Sequence, residues 1–296
     1  MSTQMAGTHS NSQMIKIRTT IVTIIMILLA IISLLPIYIL VVNATRTSVD
    51  ISGNGISLIP GLNLFNNIGT LMDWSATNKI QYDAFIGYRN SGIIAFSTTI
   101  LTVLFSGMTA YGLVVYDFKL KNIAYTIILA VMMIPVQVTS VGFYQFMSRL
   151  GLTDSYIPLI IPAVAAPAVV FFMRQYMKSS FPLEIVEAAR IDGCGEYRTF
   201  FTIGIPMMKP AFAVQAIFAF VANWNNYYTP SMILISREKS QLTLPMMVNT
   251  IISNDKLNDF GANYSAIMLS IIPVVIVYFI FSKFIVEGVA LGGVKE

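Results

Sequence analysis

Six blocks of apolar residues, each close to the length of a bilayer crossing, restrict this chain more than any other feature. A helix needs about 20 consecutive apolar residues to span the hydrocarbon core. The blocks fall at about 21–42, 92–116, 123–147, 157–173, 211–235 and 262–284. Inside lipid every backbone N–H and C=O must find a partner within its own segment or in a closed barrel, so blocks of this length read as helices. The expected fold class is therefore all-α integral membrane, with six transmembrane helices. Composition agrees: 56% of the residues are hydrophobic and 11% are charged, against about 25% charged in an ordinary soluble domain. The fourth block carries Pro158, Pro162 and Pro167, and its edges are the least definite.

The basic residues set the orientation. An even number of spans puts both termini on one side. Lys16, Arg18, Lys119, Lys121, Arg174, Lys178, Arg190, Arg198, Lys209, Lys283 and Lys295 share that side, more than half of the 18 Lys and Arg. Both termini and the segment 174–210 are thus expected in the cytoplasm, with external loops at 45–91 and 236–261. The net charge of +4 is what cytoplasmic loops facing anionic lipid carry, and calls for no nucleic acid. Cys194 is the only cysteine, so no disulfide can form within the chain. The first block is too long for the core of a signal peptide and reads as retained, giving a multi-pass protein of the cell membrane. Residues 1–15, rich in Ser, Thr, Gln and Asn, read as a disordered tail, 16–296 as a single membrane domain, and 285–296 as a cytoplasmic tail.

Several chemistries lack their residues. His9 is the only histidine and lies in the expected tail, which argues against histidine acid–base catalysis and most zinc sites. No Gly-x-x-x-x-Gly-Lys-Ser/Thr string occurs, so no phosphate-cradling loop of that type is present. Ion-coupled carriers usually hold an ionisable group near the bilayer centre. Here Asp154 and Arg174 sit at span edges and the interiors are uncharged. A sodium carrier working from backbone carbonyls stays open, as does an embedded enzyme, although no catalytic carboxylate lies well inside a span.

Between the fourth and fifth blocks stands a polar island, residues 187–210, reading EAARIDGCGEYRTFFTIGIPMMKP. Ser180 can cap a helix from Pro182 to Ile191, with Glu184 in its first turn. Ala188 and Ala189 would keep a face small, and Gly193 suits the left-handed residue that ends a helix. A second helix from Cys194 to Ile205 would present Tyr197, Phe200 and Phe201 before Pro206 and Pro210 stop it. From periodicity alone two readings stand: a segment lying on the lipid surface, or a lever that docks a cytosolic partner.

Glu187-Ala188-Ala189-x-x-Asp192-Gly193, followed by Phe200, Pro206 and Pro210, resembles the EAA loop of the membrane permease subunits of ABC importers. The flanks MMIPVQVTSVGFYQFMSRLGLTDSYIPLIIP (132–162), FFMRQYMKSSFP (171–182) and FIVEGVALGGVKE (284–296) resemble the carbohydrate-uptake branch, in the subunit similar to the smaller maltose-transporter permease. Cys194 departs from the alanine usual there, one small residue for another. The resemblance implies a type I ABC importer permease architecture and a non-catalytic subunit that holds no cofactor. It implies that Glu187 and Gly193, flanked by Ala188, Ala189 and Asp192, dock into a separate ATPase, of which two copies bind ATP and Mg. The tail, with Gly288, Gly292, Gly293 and Lys295, would reach the ATPase interface. The 236–261 loop would enter an extracytoplasmic solute-binding protein, and a second, related permease chain would complete the path.

Polar residues inside the blocks are candidates for that path: Gln137, Asn223, Asn225, Asn226, Tyr227 and Tyr228 above all, with Thr139, Gln145 and Gln215 further along. Amides bond sugar hydroxyls and rings pack on sugar faces. The same groups also bond helix to helix inside membranes, and both roles stand at this point.

Overall fold

The structure is a computed structural model that describes residues 3–77, 81–254 and 259–293, with side chains described for 15–77, 81–254 and 259–284. No strand occurs among the described residues. The helices begin with α1 (Thr3–Ala44), α2 (Ser48–Asn54), α3 (Leu64–Ala76), α4 (Ala84–Val115), α5 (Lys121–Met132) and α6 (Val136–Arg149). Then come α7 (Ile157–Ile160), a 3-10 turn (Ile161–Val164), α8 (Pro167–Ser180), α9 (Leu183–Ile191) and α10 (Glu196–Thr199), which runs on through a π-helical stretch (Phe200–Gly204) into α11 (Ile205–Met207). The chain finishes with α12 (Lys209–Trp224), α13 (Tyr228–Ile233), α14 (Leu244–Ile252) and α15 (Phe260–Gly293).

Four helical runs are long and apolar enough to cross a membrane: Ile15–Ala44, Ala84–Val115, Ile157–Ser180 and Phe260–Phe284. The count rises to six if two sharply bent pairs each make one span. One is α5 with α6, bent by 95°, where a single span was expected over 123–147. Pro135 lacks a backbone N–H and disfavours a helical Ile134 before it, so the helix ends at Met132 and restarts after the proline. The other is Glu196–Met207 with α12, bent by 80° at Met208. The fifth span, expected over 211–235, stops at Trp224. The Asn226 side chain takes the backbone N–H of Thr229 at 3.1 Å, a local bond that competes with helix continuation.

Other edges move as well. Helix α4 starts at Ala84 rather than 92 because Asp83 caps it, accepting from the Ile86 N–H at 3.1 Å. Helix α8 runs to Ser180 rather than 173, so Arg174 lies inside a helix instead of at an edge. Ser180 ends α8 and its hydroxyl pairs with that of Ser179 at 3.1 Å, leaving Pro182, which has no side-chain hydrogen bond to offer, as the cap of α9. Helix α1 extends back to Thr3, through the stretch expected to be disordered, and α15 extends to Gly293, through most of the expected tail. Extending a formed helix adds one bond per residue fixed, so each long apolar helix runs beyond its apolar block.

The chain divides into two compact units, residues 1–73 with 255–269, and 74–254 with 270–296. In the first, the stretch after α1 is a folded cap rather than a loose loop. Asn43 donates to the carbonyls of Ile39 and Ser57 at 2.7 and 3.0 Å. Asn67 donates to those of Ala44 and Arg46 at 2.8 and 2.9 Å, and Ser265 donates to Ala44 O at 3.2 Å. All three side chains are buried, and between them they tie the carbonyls at the end of α1 to the turns that follow.

In the second unit α4 is the central helix, packed on α8, α12 and α14. Its buried positions include small residues, among them Ser91, Ala95, Thr98, Ser106, Gly107 and Ala110, which let membrane helices approach closely. At Gly107 an added Cβ would run into the Phe212 ring of α12. The 236–261 region is partly a packed insert. Leu244, Met247 and Ile251 of α14 are buried, and Asn90 donates to the carbonyls of Ser240 and Leu242, each at 2.9 Å.

Candidate functional site

Two places in the second unit gather the residues singled out by the sequence. The first is the turn after α9. Gly193 has φ +75°, the left-handed conformation expected of it. The Cys194 N–H reaches the Ala189 carbonyl at 2.8 Å and the Gly193 N–H reaches that of Arg190 at 3.0 Å. These two bonds form a Schellman motif, which ends the helix and fixes the direction of the exit chain.

Helix α9 has two faces. Val186 and Ala189 are buried, while Glu184, Glu187, Ala188 and Ile191 are exposed at the spacing of one helical stripe. Ala188 and Ala189 therefore do not share a face, since consecutive helical residues point about 100° apart. Ile191 is 86% exposed and Tyr197 78%. With Leu183, Ile185 and Phe201 they form an uncovered apolar rim around Glu187, Asp192 and Gly193.

Phe200 was expected to project outward and does the opposite. It is 4% exposed, packed edge-on against Tyr111 of α4 with ring centroids 5.2 Å apart. The π-helical stretch that begins there shifts the register of the following residues. Tyr111 also meets Tyr116 and Phe181 edge-on at 6.1 and 6.0 Å. The segment is thus fastened to α4 by Phe200, while Tyr197 stays exposed and Phe201, half exposed, rests edge-on against Phe200 at 5.2 Å. Pro206 is exposed in α11, and Pro210, partly buried, opens α12.

A polar clasp closes the turn. Arg190 Nε donates to Glu196 Oε1 at 2.7 Å, and the Tyr116 hydroxyl donates to Glu196 Oε2 at 2.7 Å. Arg190 and then Tyr116 hold the Glu196 carboxyl below its ordinary value, against a smaller opposing effect of desolvation. Neither Tyr116 nor Glu196 was singled out as a partner from sequence. A carboxylate six residues after an arginine carries no helical signal when a glycine turn lies between them.

The second place is a cavity of about 390 Å³, within the range of small-molecule sites, roughly 300–1,000 Å³. Thr102 of α4, Val136, Thr139, Ser140 and Phe143 of α6, the Pro158–Ala163 stretch, and Asn223, Asn226, Tyr228, Thr229 and Met232 line it. The Ser140 and Tyr228 hydroxyls are 2.9 Å apart. Asn223 spends one amide hydrogen on Ala219 O at 2.7 Å, and its side chain keeps other polar valences. The cavity gathers Asn223, Asn226 and Tyr228 but not Gln137, Asn225 or Tyr227, which are exposed elsewhere. The breaks at Trp224 and Pro135 turn those three away. Trp224 is buried against Tyr88 and Phe220 and donates to Ser270 O at 3.0 Å. Thr102, Ser140 and Thr229 are wall residues that the sequence did not flag, being hydroxyls of the kind common in any membrane helix.

Gly288, Gly292 and Gly293 lie in the α15 backbone, and Lys295 lies outside the described residues. Among the described residues no group of three His, Cys, Asp or Glu side chains converges to hold a metal ion.

Residues 102–290 match the family described as binding-protein-dependent transport system inner membrane component. The chain is 34% identical to an arabinooligosaccharides transport system permease protein of Bacillus subtilis (strain 168), over 92% of this chain and 94% of that one. It is 30% identical to a lactose transport system permease protein of Rhizobium radiobacter, over 90% and 93% of the two chains. It is also 30% identical to an sn-glycerol-3-phosphate transport system permease protein of Yersinia pestis bv. Antiqua (strain Antiqua), over 90% and 93%. Its fold matches a chain of a bacterial ABC transporter involved in the import of the acidic polysaccharide alginate, with TM-score 0.76 at 21% identity, over 91% of this chain and 97% of that one.

Proposed function

The chain belongs to the family of binding-protein-dependent transport system inner membrane components, and on that premise we propose that it is the carbohydrate-carrying permease of an ATP-driven importer. It is a multi-pass membrane protein and a non-catalytic transport subunit. The observation that carries the rest is the exposed stripe of α9, with its apolar rim and its Schellman turn, set on a core fastened to α4. This face docks into a cleft of an ATPase subunit. Two such subunits bind ATP and Mg, close, and pull α9, so that α8, α11 and α12 move with it. Helices α5 and α6 together count as one span and α12 alone as another, giving six with the four long runs, with both termini on the basic, cytoplasmic side.

The cavity bounded by Ser140, Asn223, Asn226 and Tyr228 is this chain's share of the solute path. Its amides and hydroxyls offer donors and acceptors to sugar hydroxyls, and the Tyr228 ring offers an apolar face. A second, related permease supplies the rest, and the bare apolar surface of α1 suits lipid and such a partner. An extracytoplasmic solute-binding protein delivers the sugar against the 236–261 side.

The glycerol phosphate relative favours a second reading, an importer of the same kind for a non-sugar solute. Purification of the tagged chain from native membranes in mild detergent tests both. Recovery of a second multi-span chain and an ATPase is expected, with uptake in liposomes of arabinooligosaccharide or lactose in preference to glycerol 3-phosphate. Recovery of this chain alone, active without ATP under an ion gradient, would put an ion-coupled carrier in its place.

A further inference from the structure

Arg174 lies in the middle of α8, 7% exposed. Its guanidinium carbon stands 3.7 Å from the centroid of the Tyr125 ring on α5. Its Nε has no hydrogen-bond partner among the described residues, and no carboxylate there pairs with it. A buried charge without a counter-ion is expensive, and an apolar side chain would sit more cheaply beside Met173 and Met177, both fully enclosed. An ionisable residue held at such a cost within a membrane segment is a functional candidate by default.

The two helices that this contact joins lead to the two sites. Only Phe181 and Pro182 separate α8 from α9, which carries the exposed coupling stripe. Helix α5 ends at the 95° bend, beyond which α6 begins with Val136, Thr139 and Ser140 in the cavity wall. We propose that Arg174 is a positioning residue for transport: held on the face of Tyr125, it carries displacement of the coupling segment through α5 into the helix that walls the cavity. The contact suits the task because the attraction asks only that the cation stay over the ring, within about 6 Å of its centroid. The helices can slide without breaking it, as a two-point ion pair could not.

This proposal rests on the importer reading above, and its test separates the two. The full complex is purified with Thr139→Cys in a Cys194→Ser background, so that a maleimide reagent reports on the cavity. Labelling is compared without nucleotide and with ATP plus vanadate, and the reference is expected to respond. Tyr125→Leu should shrink that response about thirtyfold, the factor a desolvated cation–π contact carries in an equilibrium, while Tyr125→Phe and Tyr125→Trp keep it. Arg174→Met should match Tyr125→Leu, and the double variant should lose no more than either alone. Should Arg174→Met fail to fold, the Tyr125 series decides. A full response in Tyr125→Leu, or additive losses in the double variant, overturns the proposal and leaves the importer standing. A reference complex that contains no ATPase and ignores ATP overturns both.

Discussion

The coupling segment at 183–207 and the cavity around 223–229 are both polar interruptions in an apolar chain, yet they are built on opposite principles. In the first, neighbours in sequence are neighbours in the site: Gly193, the Schellman bonds and the α9 stripe all follow from local helix geometry. In the second, three residues of one short run are joined by side chains more than fifty residues away, on α4, α6 and the proline-rich stretch. A site made by one element can be read from spacing. A convergent site depends on where helices break, which spacing alone does not give.

The sharpest contrast lies inside the coupling segment itself, between Phe200 and Tyr197. Phe200→Ala removes a buried ring and should cost about 3–5 kcal/mol, seen as a lowered Tm of the detergent-solubilised protein. Tyr197→Ala should change stability by no more than about 0.5 kcal/mol, leaving the Tm nearly unmoved, and instead weaken ATPase recovery. Equal Tm losses would mean that the segment has no free face. Gly193→Trp comes next. An added Cβ there meets nothing within 4 Å, so its effect arises from left-handed strain of about 1–2 kcal/mol and from a ring thrust onto the docking face. Uptake should fall about a hundredfold, as at a binding hot spot, with the protein still inserted. Gly193→Ala carries the strain alone and should fall much less. Normal uptake in Gly193→Trp would end the lever account.

For the cavity the effects are smaller and selective. Tyr228→Phe and Ser140→Ala each remove one hydroxyl of a facing pair, worth about 0.5–1.5 kcal/mol, and should raise KM for the solute with little change in maximal ATPase. Asn225→Ala and Gln137→Ala lie outside the wall and should change neither. Should Asn225 and Gln137 matter while Ser140 and Tyr228 do not, the path runs elsewhere.

Most of the fold was legible because lipid demands long apolar helices, and one end of several runs falls within a few residues of expectation: α1 ends at Ala44, α4 at Val115, and α15 begins at Phe260. Asp83 is a cap signal and was passed over, so α4 was expected eight residues late. The break at Pro135 does not show because hydropathy continues across it, and hydropathy reports solvent rather than backbone geometry; the polar run at Asn225 and Asn226 reads equally well as path-lining residues inside one continuous span. The same blindness shows between α1 and α4. The more apolar of the two has none of its most apolar window buried, while half of that of α4 is covered. Helix α4 is central because of Ser91, Thr98, Ser106, Gly107 and Ala110, small residues that lower its hydropathy and permit contact. The face of Phe200 does not follow from its spacing because an aromatic residue on a short amphipathic turn can face either way, and the burial of Phe200 is set by Tyr111 on the distant α4.

The smallest effect concerns the Glu196 clasp, and its sign follows from the direction of the shift. The carboxyl sits below its ordinary value of 4.5 in the folded chain because Arg190 and Tyr116 donate to it. Its contribution is therefore complete above that ordinary value and is lost as pH falls through the lower, folded one. Arg190 is shifted upward by the same contact, so it stays charged across the whole range and adds no break of its own. The pair is more than a third exposed on both sides, and water and salt screen it, so the effect is modest. ATPase docking measured from neutral pH downward should stay level until the medium is more acid than an ordinary carboxylate, then weaken, and weaken less at low ionic strength. Glu196→Gln keeps the shape, removes the titration and should give a flat profile. A break near neutrality, or one that persists in Glu196→Gln, would assign the pH response to another group and leave the turn held by its Schellman bonds and Phe200 alone.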